Sequence, residues 1–78
     1  MNKNTKVNAA ILIIGNEILS GRTQDTNTLT LATWLNSVGV KVGEVRVIPD
    51  VEKIIVDVLN LLRSEYNYVF TTGGIGPT

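Results

Sequence analysis

Residues 9–14 read AAILII, six apolar residues in unbroken succession. Side chains of a strand alternate between the two faces of its sheet, so a run with no polar interruption needs cover on both faces. AAILII therefore belongs inside a parallel sheet with helices on each side, and Gly15 ends it. A bilayer span needs roughly 20 apolar residues, and no segment of this chain approaches that. Nor does the run read as a signal peptide. Lys3 and Lys6 precede it, but the polar GNE follows where a small-residue cleavage site would stand.

The rest of the chain supplies the partners this strand requires. Residues 25–38, DTNTLTLATWLNSV, have helical spacing. Thr28, Leu31, Ala32, Leu35 and Val38 form one stripe, with Trp34 on its flank as a core residue. Asp25, Thr26 and Asn27 are good cap types, and Gly39 is a natural stop. Leu29 falls opposite the stripe, where only a partner surface would cover it. Residues 40–48, VKVGEVRVI, read as a strand nearer the sheet edge because of their charges. Val40 and Val42 share one parity and Val45 and Val47 the other, which predicts a bulge near Gly43-Glu44. A second helix over 51–65 starts at an Asp50 cap. Its stripe is Val51, Ile54, Ile55, Val58 and Leu62, widened by Leu59 and Leu61. Residues 67–72, NYVFTT, form a third strand, with Phe70 in the core.

The order is β-α-β-α-β, which predicts an α/β domain of three layers around a parallel sheet. Residues 1–7 read as a tail and 8–78 as the domain. The 78 residues carry zero net charge and 18% charged side chains. A nucleic-acid binder would show a clustered basic excess. Cysteine and histidine are both absent. That removes disulfides, thiolate metal sites, the commonest general base and any Ser-His nucleophile pair. A metal here would be a hard cation held by oxygen. A reducing cytoplasm suits the composition.

Strands of a parallel sheet all end on one edge, so two loops meet there. The first is GNEILSGRTQDTN, residues 15–27; the second is GGIGPT, residues 73–78. When the first and third strands are neighbours, the crevice between their loops is the usual ligand site. Gly73, Gly74 and Gly76 let phosphate approach backbone amides closely. Glu17 stands at the first strand's end as the carboxylate for a hydroxyl, a base edge or a hydrated divalent ion. Each position also has a plainer role: glycines as turn formers, Asp25 as a helix cap, Glu17 and Arg22 as solvated loop charges. Neither loop is a dinucleotide fingerprint or a P-loop.

Taken in order, IIGNEILSG at 13–21, DTNT at 25–28, VRVIPD at 45–50 and FTTGGIGPT at 70–78 are more specific than any one of them. Together they resemble the MoaB/Mog molybdopterin-binding domain, most closely its competence-damage-inducible, CinA-like branch. The resemblance covers roughly residues 8–78. It implies an often oligomeric domain whose pocket takes molybdopterin, its adenylylated form or another phosphate-bearing pterin or nucleotide. In the CinA-like branch it implies nucleotide pyrophosphatase activity, such as ADP-ribose hydrolysis with a divalent metal, magnesium among the candidates. The matching pocket positions are Gly15, Asn16, Glu17, Asn27, Gly73, Gly74, Gly76, Pro77 and Thr78. No catalytic residue is assigned. Many relatives have Asp where Asn16 stands, which weakens any metal role there. In the family two acidic residues and a helix follow the glycine loop, and the domain runs on for about as many residues again. This sequence corresponds to the N-terminal half, so little pyrophosphatase activity is expected of it. The alternatives are a non-catalytic interaction module and the remnant of a split or degraded gene.

Overall fold

The computed structural model describes residues 7–16 and 27–73. Among these residues three strands and two helices alternate: β1 (Val7–Ile14), α1 (Asn27–Ser37), β2 (Val40–Ile48), α2 (Glu52–Glu65) and β3 (Tyr68–Thr72). The sheet order is β2-β1-β3 and both pairings are parallel. AAILII lies in the central strand, and all six of its residues are buried.

The alternation of β1 divides the core in two. Ala10, Leu12 and Ile14 face α2, where they join Ile48 and Leu62, with Ile55, Val58, Leu59, Tyr66 and Val69 packed around them. Ile11 and Ile13 face α1 and meet Leu35, with Leu31, Ala32, Val40, Val42, Val47 and Phe70 alongside. Each fully buried Leu or Ile contributes about 1.5–3 kcal/mol through removal from water. β1 thus carries hydrophobic stabilisation on both faces at once, which explains why it holds no polar side chain after Asn8.

The bulge sits where the parity shift places it. Ala9 pairs with Val42 and Ala10 with Glu44, so Gly43 is the extra residue. The extra residue puts Val40, Val42 and Val47 on one face despite their mixed parity. β2 is an edge strand, as its charges imply.

Several expectations need correction. Trp34 is 56% exposed and is not a core residue. It lies about 100° round the helix from Leu35, beyond the surface that three strands cover. Val38 falls past the end of α1 and is exposed. Its N–H bonds back to the Trp34 and Leu35 carbonyls, and Gly39 then leaves the helix at φ +88. Asp50 does not cap α2. The cap residue is Val51, in extended conformation and without a side-chain cap bond. Val51 N–H bonds to the Pro49 carbonyl at 2.9 Å, and the Val51 carbonyl accepts the helical bond from Ile55. Val51 and Leu61, assigned to the buried stripe, are both exposed, and Ile54 lies at its margin. Asp25 and Thr26 lie outside the described residues.

Candidate functional site

The three strands end together, with Ile14 opposite Ile48 and Ile13 opposite Thr72. Three contacts hold the residues just beyond these ends. Gly15 N–H donates to the Ile48 carbonyl at 3.1 Å, joining the ends of β1 and β2. Asn16 Oδ1 accepts the Asp50 N–H at 3.3 Å, so the same side of β1 is bridged again one residue further on. On the other side Gly73 leaves β3 at φ +74, and a Cβ built there would lie 2.5 Å from the Ile14 carbonyl oxygen. Only glycine combines that left-handed turn with that close approach.

Of the pocket positions proposed from sequence, Gly15, Asn16 and Gly73 therefore share one edge of the sheet. Gly15 is buried, whereas Asn16 and Gly73 are exposed. Asn27 opens α1. Because α1 returns the chain to the start of β2, its first residue lies toward this same edge. Glu17, Gly74, Gly76, Pro77 and Thr78 lie outside the described residues, as does Arg22. Asp50 is the residue that sequence reasoning placed in the wrong role. The signal was available: Pro49-Asp50 follows the end of a parallel strand just as the other two loops do.

A cluster of charged side chains among the described residues lies elsewhere. Glu44 and Arg46 pair with Ala10 and Leu12, midway along β1. Arg46 Nε donates to Glu44 Oε2 at 2.7 Å, and the Tyr66 hydroxyl donates to Oε1 at 2.9 Å. The Arg46 bond, then the Tyr66 bond, hold the Glu44 carboxyl below its ordinary value. The bond to Glu44, with burial behind it, pushes the Tyr66 phenol up. A concavity of about 240 Å³ lined by Asn36, Gly39, Val40 and Lys41 lies at the opposite edge, where β2 begins. Neither feature belongs to the crevice. Among the described residues no group of three His, Cys, Asp or Glu side chains could hold a metal. At this edge the described residues offer a neutral amide, backbone groups and the carboxylate-bearing Asp50, without the group of several carboxylates that a divalent cation prefers.

Comparison with known proteins places this geometry. The family described as "probable molybdopterin binding domain" matches residues 10–78. The chain belongs to that family. A probable FAD synthase of Caenorhabditis briggsae is 43% identical over 70 residues, covering 90% of this chain and 13% of that protein. A CinA-like protein of Flavobacterium psychrophilum is 40% identical over 70 residues, 90% of this chain and 17% of its own length. Among solved structures, the protein CinA of Thermoplasma acidophilum, described as of unknown function, superposes with a TM-score of 0.87 at 32% identity. The match covers 95% of this chain and 44% of that one. The CinA-like, MoaB/Mog-type domain read from the motifs is thus the domain present. The chain spans about an eighth to a quarter of the curated relatives it matches. No helix among the described residues is long and apolar enough to cross a membrane.

Proposed function

We propose that the C-terminal edge of the sheet binds the phosphate of a pterin or a nucleotide. The described walls of this crevice are Gly15 and Asn16 at the end of β1 and Gly73 at the end of β3. The observation that carries this reading is Gly73 itself, turned at φ +74 against the Ile14 carbonyl. That turn sets the end of β3 against the end of the central strand, at the position where open α/β sheets take ligands. A backbone without side chains there admits a phosphate oxygen to the amides. The family description, and a relative named for making the pyrophosphate-containing FAD, both fit such a ligand.

Calorimetry of the 78-residue chain with ADP-ribose tests it. Binding is expected, to be abolished by Gly74→Val and changed little by Arg22→Ala. Equal affinity of Gly74→Val and the parent removes the glycine loop from the site. Hydrolysis in magnesium, manganese or cobalt is followed in the same samples. Substantial turnover would extend the reading from binding to nucleotide pyrophosphatase chemistry.

A second reading is self-association. Among the described residues the outer edge of β3 pairs with no strand, Tyr68 on it is 55% exposed, and Leu29 on α1 is 71% exposed. An uncharged open strand is a template for another copy of itself. Sedimentation should then show a concentration-dependent dimer; a monomer at every concentration removes this reading.

A further inference from the structure

Asn16 makes one hydrogen bond among the described residues, and the chemistry of that bond fixes which way its amide faces. An N–H can only donate, so the atom opposite the Asp50 N–H is the carbonyl oxygen. The Nδ2 group consequently points away from that bond, and none of the described residues accepts from its two N–H donors. Asn16 is exposed, at the edge where β1 ends beside Gly73.

We propose that Asn16 determines the specificity of the crevice: it offers phosphate a neutral donor, so the anion is taken directly rather than through a divalent cation at this position. The proposal rests on the phosphate-binding reading above. Two consequences separate its parts. The bond from Asp50 makes Asn16 a strut between the end of β1 and the turn before α2, and this role needs only an oxygen at residue 16. The donor role needs the nitrogen. Asn16→Asp keeps the first and deletes the second, and it sets a new carboxylate beside that of Asp50. Two adjacent carboxylates repel an anion unless a cation lies between them.

The test is calorimetry with inorganic pyrophosphate, in EDTA and in magnesium, for the parent, Asn16→Asp and Asn16→Ala. Nuclear magnetic resonance of the Asp50 amide in each protein accompanies it. The parent should bind equally well in both buffers. Asn16→Asp should lose at least about tenfold in EDTA, the scale of one charge-assisted hydrogen bond, and regain affinity in magnesium. The Asp50 amide should stay hydrogen-bonded in Asn16→Asp and lose protection in Asn16→Ala. Magnesium-dependent binding by the parent, or unchanged affinity of Asn16→Asp in EDTA, overturns the assignment. Failure of the parent to bind pyrophosphate in either buffer overturns the phosphate crevice itself. An Asp50 amide unaffected in Asn16→Ala shows that the strut does not form.

Discussion

The two strands beside β1 are held to it by different means. β2 runs alongside β1 for eight pairs, from Val7↔Val40 to Ile14↔Ile48. Its hold is reinforced in the middle. Gly43 bulges there, and a Cβ at that residue would lie 2.8 Å from Cε1 of the Tyr66 ring, so the missing side chain is the space the ring occupies. The same Tyr66 and Arg46 then bind Glu44. A bulged and charged strand also resists pairing with another chain, as an edge strand should. β3 has five pairs and carries no charge from Tyr68 to Thr72. It is fastened at its ends. At the entry, Asn8 N–H donates to Asn67 Oδ1 at 3.0 Å and Asn67 N–H to Asn8 Oδ1 at 3.1 Å. At the exit, Gly73 lies against Ile14. The contrast locates the sensitive point. The β2 side spreads its restraint over several side chains along the strand, whereas β3 is held at two points, the Asn8–Asn67 pair at its entry and a single glycine at the crevice.

Gly73→Ala strikes that point and should have the largest effect. An L-residue in the left-handed region costs about 1–2 kcal/mol. The added methyl also meets a backbone oxygen, which cannot swing aside like a side chain, and such overpacking costs about 1–3 kcal/mol. The sum, roughly 2–5 kcal/mol, is a large part of what a small domain has, about 5–15 kcal/mol in total. Urea unfolding measures it. A loss under about 1 kcal/mol, the typical value for any point substitution, would show that the end of β3 yields freely and that the two sides of β1 are alike.

Much of this arrangement was legible in the sequence because it arises from local pattern. AAILII announced a central strand, since no polar residue breaks its alternation. The change of parity between Val42 and Val45 announced the bulge. What could not be read locally depended on the width of the sheet or on contacts between distant residues. Trp34 has core chemistry, but whether it is covered depends on how far the sheet extends beneath α1. Asp50 has cap chemistry, but the amide of Asp50 is drawn to Asn16, 34 residues earlier, and the cap passes to Val51. In the site, the glycines and the topology were visible together. The bridge between Asn16 and Asp50 was hidden because it joins two loops that no motif connects.

The reinforcement of β2 should also show itself in pH, with a smaller effect. Glu44 titrates in the folded chain below its ordinary value of 4.5. Its contribution is therefore complete above that value and fades as pH falls through the lower, folded-state value. Tyr66 is shifted the other way, above its ordinary value of 10.0, so its contribution is complete below that pH and is lost as pH rises through the folded-state value. Between these limits the cluster is intact. Arg46 and Glu44 are partly exposed, so water and salt screen the pair and its net worth is small. Glu44→Gln keeps an acceptor for Tyr66 but removes the charge. Other carboxylates titrate in both proteins, so the difference between the two urea-midpoint curves is the quantity to read. The parent should lose stability more steeply than Glu44→Gln below about pH 4.5 and converge toward it in acid. Parallel curves would mean that the Tyr66 ring over Gly43, and no charge, holds the bulge. The two strands would then differ in where backbone and side chain pack closely, not in electrostatics.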